Sequence, residues 1–556
     1  MLLQILAACT GPRPHDGPNP GTTDTTNPTT DPGTPPPYTV DPDTIAAIEA
    51  AAERSLDRSN ATGCSVAVWR DGAIVYTAAF GTRNEAGDPA TVDTQFEIGS
   101  DTKKMTAIGL MRLVDAGALS LEDRVGDLLP DVVIPGAPNT LADLTVRQLL
   151  SHQSGLFDYT PWTDLPDDAA LEEVVLGRFA ENEYAMMPPG IGHSYSNPNY
   201  SLAGLVHQRL ENRAWADLVL EEVAAPLGMD HTWSRLVDLL AAEDDVASGL
   251  GPVLEEPYDT FDLLEDVNDP GGYEIGWVRP EEQIDNGFTR PAGLLWSTAS
   301  DMARLQMFLV NGDPAVLSDG SRAEISAGQV ALYPNLDPDD FAYGFGMMRI
   351  RGFTDRDGNF YDTPLLVHGG NTLTMTSTFE FLPDQRVGVS VLSNGDGDDM
   401  EAVSAAALAG VAADRLPAPV EPISPWAPPA EDLGVYAGSF EDAALGPVEL
   451  TLVDGEIHVE MPYLDSIGFP YGDTLIPYAL DLFLLELDGA ADFDLSFYPD
   501  PNGVPAAYAV NRGFVFQRVP AGTARRPAVP RTREALAAWL GPARSPLALT
   551  APRPLR

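Results

Sequence analysis

Lysine is almost missing. Among 556 residues there are two, Lys103 and Lys104, side by side. Every other basic side chain, histidine apart, is arginine, whose guanidinium keeps its charge at any working pH and cannot accept a proton. Positive charge is scarce altogether: 32 Lys and Arg face 83 Asp and Glu, a formal net charge of −51. That field argues against a nucleic-acid partner, and the acidity serves solubility. Two cysteines, Cys9 and Cys64, are too few for a disulfide framework. Cys64 lies in the apolar run Cys64–Trp69 and is expected in a buried strand. The histidines are scattered without metal-ligand spacing, so neither a metal nor a cofactor is expected. No apolar run is long enough for a transmembrane helix. At 44% hydrophobic residues the bulk is globular, with room for two or three domains.

Organisation follows from composition shifts. Residues 1–9 end in Leu6-Ala7-Ala8-Cys9, which resembles a bacterial lipobox and implies lipidation of Cys9, membrane attachment and an exported, periplasmic or cell-surface protein. Residues 10–40 are rich in Pro, Thr and Gly and read as a tether. Residues 41–416 form the main domain. A helix follows Asp41-Pro42, and strands 64–69 and 73–80 flank an Asp71-Gly72 hairpin turn. Helical periodicity dominates to about 230, residues 234–285 read as acidic surface loops, and 294–310 is helical again. Strands return at 343–350, 365–368, 377–382 and 387–393, followed by an Ala-rich helix over 401–413. The fold class is α/β: a layer with an inserted all-helical lobe. A Pro-rich linker, 417–431, leads to residues 432–518. There six alternating segments and an Asp454-Gly455 turn predict a small all-β sandwich or barrel. The tail, 519–556, is rich in Arg and Pro.

The two lysines open a helix. In Gly99-Ser100-Asp101-Thr102-Lys103-Lys104, Ser100 and Lys103 fall one turn apart, so hydroxyl and amine can meet. The helix N-terminus disfavours an ammonium and favours an oxyanion, which suits a serine nucleophile beside a neutral lysine. Alone, the tetrapeptide reads most simply as a capping serine and a solvated lysine. Two further stretches bear on this. Tyr195 and Asn197 sit in the Ser/Asn/Pro loop Gly192–Tyr200, where a tyrosine near an ammonium has a lowered pKa and an asparagine can bond lysine and substrate. In Leu366-Val367-His368-Gly369-Gly370-Asn371, a histidine ends an apolar strand and two glycines allow close backbone approach.

With these motifs, in this order, the chain resembles the serine beta-lactamase-related family: class C beta-lactamases, penicillin-binding D-alanyl-D-alanine peptidases and related esterases and D-aminopeptidases. The likeness spans roughly 43–415. Further landmarks are Leu149–Leu156, Pro226–Met229, Pro291–Thr298 and Tyr343–Gly346. It implies a beta-lactamase/transpeptidase-like sandwich with an all-helical lobe, and a lipocalin-like domain behind it. It also implies Ser100 as the acylated nucleophile, Lys103 and Tyr195 sharing the proton work in an open order, and Asn197 positioning lysine and substrate. The backbone N–H groups of Ser100 and Asn371 would form the oxyanion hole. His368-Gly369-Gly370 stands where true lactamases and peptidases carry Lys-Thr-Gly, which shifts the expectation toward esters and amides without a free carboxylate.

The expected function is therefore a serine hydrolase acting through an acyl-enzyme on an ester, a D-amino-acid amide or peptide, or a beta-lactam. The alternatives are a catalytically silent penicillin-binding-like or ligand-binding protein on the same fold, or a main function in the β domain. His152 is expected to be structural and His193 to line the cleft. Asp101, Thr102 and Lys104 are expected to be helix-start residues without a further role.

Overall fold

The computed structural model describes residues 38–520 and 522, apart from short internal segments, the longest being 180–185 and 260–274. Cys9, nearly all of the tether and nearly all of the tail lie outside the described residues.

The main domain is built on an eight-stranded antiparallel sheet. Its strands are β1 (Gly63–Arg70), β2 (Ala73–Gly81), β3 (Val330–Ala331), β4 (Ala342–Tyr343), β5 (Met348–Thr354), β6 (Phe360–Asn371), β7 (Thr376–Leu382) and β8 (Val387–Ser393). They lie in the order β2-β1-β8-β7-β6-β5-β4-β3. The hairpin β1–β2 turns at Asp71 (φ 54°) and Gly72 (φ 86°), the two positive φ values that a tight two-residue hairpin requires. β1 is buried on both faces, which is why it reads as a continuous apolar run rather than an alternation. Cys64, Val66 and Val68 join the core beneath helices α1 (Pro42–Arg58) and α5 (Glu401–Val411), the latter numbered after three helices of the lobe. Ala67 and Trp69 face the other core, where Trp69 Nε1 donates to Gln306 Oε1 at 2.7 Å.

α1 starts where Asp41 accepts from Thr44 N at 2.9 Å with Pro42 in the first turn, and it buries Ile48, Ala51, Ala52 and Ser55 at helical spacing. Between β2 and β3 the chain forms the helical lobe, with α2 (Thr102–Asp115) and α3 (Pro198–Glu211) crossing beside the sheet and α4 (Ala299–Asn311) covering one sheet face. Pairing of β1 with β8, Cys64 opposite Ser393, ties the two ends of the domain together. The lobe therefore sits between strands distant in sequence.

Two expectations need correction here. The stretch 234–285 holds more than loops: a helix spans Leu236–Ala242, and Gly249–Pro252 pairs with Ile275–Val278. The sixth strand also does not end at His368. It runs to Asn371, because Gly369, Gly370 and Asn371 pair in turn with Thr378, Ser377 and Thr376.

The second domain is a closed eight-stranded barrel rather than a sandwich. Its strands are β9 (Gly438–Asp442), β10 (Gly446–Val453), β11 (Glu456–Glu460), β12 (Thr474–Ala479), β13 (Leu482–Leu487), β14 (Ala490–Tyr498), β15 (Tyr508–Asn511) and β16 (Phe514–Arg518). Each pairs with the next, and β16 closes on β9 through Phe440 and Arg518. Closure removes free strand edges, and an interior of Tyr436, Phe440, Phe483 and Phe497 rings fills the centre. The barrel docks on the main domain, where Asn335 Nδ2 donates to Leu480 O at 3.2 Å and Trp426 packs against Tyr333 and Tyr478.

Candidate active site

Ser100 lies in a single 3-10 turn, Gly99–Asp101, that leads into α2. It is not a capping serine, since no side chain caps either segment. The turn is pressed against the end of β6. Gly99 has φ 51°, and a Cβ there would stand 2.6 Å from Asn371 N; a Cβ on Gly370 would stand 1.9 Å from Ile98 O. Only glycine permits this approach, and it brings the backbones of Ser100 and Asn371 to the same place.

Lys103 is fully buried. Its Nζ lies 2.7 Å from Asn197 Oδ1, 2.7 Å from Ala292 O and 3.0 Å from Ser100 Oγ. Burial lowers its pKa well below the usual lysine range; the nearby Arg512 and Lys104 charges add to this, against Asp158 and Asp101. A neutral amine has two hydrogens and one lone pair. The two carbonyl oxygens can only accept, so they take both hydrogens and leave the lone pair for the Ser100 hydroxyl.

Tyr195 OH stands 2.9 Å from Ser100 Oγ on the other side. Here the expectation of a lowered tyrosine pKa fails. Burial dominates and pushes the phenol up, with Arg512 and the Ser100 bond pulling weakly the other way. Lys103, itself inclined to the neutral form, supplies little charge to reverse this. Both shifts favour the neutral forms, the phenol of Tyr195 and the amine of Lys103.

The loop carrying Tyr195 and Asn197 is held from behind. His152 Nδ1 accepts from Ser196 N at 3.1 Å, and its ring lies 4.2 Å from that of Tyr195. Burial keeps His152 neutral. Asp158 Oδ1 accepts from Asn197 N at 2.7 Å, and Asn197 Nδ2 donates to Thr160 Oγ1 at 2.9 Å. His193 stacks on Tyr343, ring centroids 5.3 Å apart, one layer behind Tyr195.

His368 is buried beside this group. Its Nδ1 lies 2.7 Å from Gly369 O, which can only accept, so Nδ1 carries the proton and Nε2 accepts from Tyr343 OH at 3.0 Å. Burial, with the Lys104 charge beside it, holds its pKa well below the usual histidine range, so it brings no positive charge. Asp101 and Lys104 are not idle helix-start residues. Both are fully buried and form an ion pair, and Ser377 Oγ donates to Asp101 Oδ2 at 2.6 Å. Thr102 Oγ1 accepts from Leu295 N at 3.3 Å, which fixes α2 to the segment that supplies Ala292 O. Among the described residues no cluster of His, Cys, Asp and Glu could hold a metal.

The structure thus links Asn197, Lys103, Ser100 and Tyr195 in one chain of contacts, with His368, Gly369, Gly370 and Asn371 along one edge. Three participants went unread in the sequence, Asp158, Thr160 and Arg512, while Ala292 was marked only as part of the Pro291–Thr298 landmark. Arg512 belongs to the barrel, yet its Nε donates to Asp158 Oδ2 at 2.6 Å and its Cζ lies 4.6 Å from the centre of the Tyr195 ring. No local pattern marks it. Such a grouping can move one proton from a serine hydroxyl to a buried amine and back.

Comparisons with known proteins bear on the family and the fold. The sequence model of the family described as Beta-lactamase matches residues 48–414. Penicillin-binding protein 4 of Amycolatopsis lactamdurans is 28% identical over 404 residues, covering 68% of this chain and 93% of that protein. Beta-lactamase-like protein 2 of Dictyostelium discoideum is 31% identical over 284 residues, or 50% of this chain; the match takes in 46% of that protein's length. Among solved structures, SurE superposes with a TM-score of 0.59 at 22% identity, covering 86% of this chain and 99% of its own. The D-amino acid amidase of Ochrobactrum anthropi SV3 gives 0.52 at 23%, covering 67% of this chain and 99% of its own. With two thirds of its length matched by one family model and its fold shared with these structures, the chain belongs to the serine beta-lactamase-related family.

Proposed function

We propose that the protein is a serine hydrolase that works through an acyl-enzyme on an ester, a D-amino-acid amide or peptide, or a beta-lactam. The observation that carries this is the environment of Lys103 Nζ: two carbonyl acceptors, a serine hydroxyl at 3.0 Å and no exposure to solvent. A surface lysine or a purely structural one has no use for a lone pair aimed at a serine.

In acylation, Ser100 Oγ forms a bond to the substrate carbonyl carbon as its proton passes to Lys103 Nζ. The oxyanion sits between the Ser100 turn and the end of β6. When the bond to the leaving group breaks, that group departs with a proton delivered through Tyr195, which recovers one from Lys103. Water then attacks the acyl carbon, and the same groups carry its proton while Ser100 is released. The neutral His368 puts no cation where Lys-Thr-Gly would, which favours neutral esters and amides over substrates that need a paired carboxylate.

The test is labelling of the protein and of Ser100→Ala with a fluorophosphonate and with a fluorescent penicillin. The reading expects fluorophosphonate labelling of the first protein only, with turnover of short nitrophenyl esters. Equal labelling of both, or of neither, overturns it. Penicillin labelling with slow release points to a peptidase, and fast penicillin turnover to a lactamase.

A further inference from the structure

Arg512 sits between β15 and β16, where Asn511 pairs with Phe514 and the chain makes a tight turn. From there the Arg512 side chain leaves the barrel and reaches Asp158 and the Tyr195 ring. The contact is not incidental. Tyr498, from the end of β14, occupies the space a Cβ on Gly192 would need, 2.5 Å away, so the barrel is fitted to the loop that displays Tyr195. Within that fit, Asp158 acts as a two-sided clamp. Its carboxylate accepts from Asn197 N on one oxygen and from Arg512 Nε on the other, and its side chain is only 10% exposed.

From these contacts we propose that Arg512 is a positioning residue of the Ser100–Lys103–Tyr195 group. It holds Asp158, and through it Asn197, in place, and it offsets the Asp158 charge so that the catalytic centre is complete only with the barrel docked. This rests on the hydrolase reading above. The electrostatic logic has a definite sign. Lys103 is faced by Asp101 from the preceding turn and Lys104 from its own helix, by Asp158 and Arg512, and by the buried Tyr195, Tyr200, His152 and His368. Asp101 and Lys104 form their own pair. That leaves Asp158 favouring the ammonium and Arg512 opposing it. Arg512 also favours the ionised form of Tyr195, which Asp158 opposes. Removing Arg512 therefore makes both groups hold their protons to higher pH, and removing Asp158 does the reverse.

The experiment uses the full chain and an uncharged fluorophosphonate, so that no substrate charge enters the comparison. Second-order labelling rates are measured from about pH 5 to about pH 10. Arg512→Gln is expected to move the midpoint of the rising limb to higher pH by about one unit. That is the low end for a neighbouring charge, because the Arg512 side chain is 39% exposed. Arg512→Lys, which keeps the charge but loses the planar fork, is expected to move it by less. Asp158→Asn should move it to lower pH, and the double variant should return it close to the starting value. Thermal midpoints identify any variant that fails to fold.

An unmoved midpoint in Arg512→Gln overturns the proposal, whether or not the rate falls. So does a loss that appears only when a carboxylate-bearing nitrophenyl ester replaces the uncharged probe, which would make Arg512 a substrate contact. Failure of the hydrolase reading looks different: Ser100→Ala would then label like the unaltered protein, or neither would label at any pH.

Discussion

Replacing Lys104 with methionine removes one charge and little volume from the middle of the molecule. The Lys104 ammonium and the Asp101 carboxylate are both fully buried and paired. Lys104 Nζ also lies 4.2 Å from the centre of the Phe379 ring. Losing a desolvated cation–π contact costs about 2 kcal/mol. Leaving one member of a buried pair without its partner costs about 3–5 kcal/mol, so the stranded carboxylate decides the outcome. Ser377 continues to donate to Asp101, which places the expected loss toward the lower end. For a domain of this size the thermal midpoint should fall by roughly 4–6 °C. The assay is scanning calorimetry on a cycle of Lys104→Met, Asp101→Asn and the double variant. Removing both charges is expected to recover most of the loss, because a buried pair adds little net stability over apolar packing. A single variant within about 2 °C of the starting protein refutes the reasoning. So does a double variant less stable than both singles.

Two further outcomes follow from burial and close approach. Burial pushes the carboxyl groups of Glu97 and Glu380 up to about 8. A raised folded pKa means that the stability these groups contribute is complete below about pH 4 and is lost as pH rises through about 8. The thermal midpoint should therefore decline across that window, and Glu380→Gln should flatten the decline. Gly370→Ala would set a Cβ 1.9 Å from Ile98 O and must part β6 from the Ser100 turn. Labelling by fluorophosphonate should slow by more than about tenfold while stability falls by only about 1–3 kcal/mol. Labelling rates together with melting curves check both parts.

What the sequence made legible is local or periodic. Asp71-Gly72 and Asp454-Gly455 announce their hairpins, because few residues accept positive φ twice in succession. The run Cys64–Trp69 announces a strand covered on both faces. Strand β12 did not show, since Pro477 interrupts its alternation at a register shift. Strand β9 did not either: Gly438-Ser439-Phe440-Glu441-Asp442 carries a single large apolar residue.

At the candidate site, Ser100 and Lys103 stand out by spacing and by the rarity of lysine. Asp158 and Arg512 do not, because their importance comes from a pairing 354 positions apart that only the docked barrel creates. Tyr195 shows a subtler limit. A residue's neighbours can be guessed from motifs, but whether burial or a nearby charge governs its proton is settled by packing depth, which no motif encodes.

The rarity of lysine has a consequence outside catalysis. Both lysines are sealed inside the fold, so apart from the chain's own α-amino group the native surface offers no primary amine. Reagents and enzymes that modify lysine find nothing to attack on the native protein. An amine-directed label would report on unfolding, since Lys103 and Lys104 become reachable only when the helix that follows Ser100 opens.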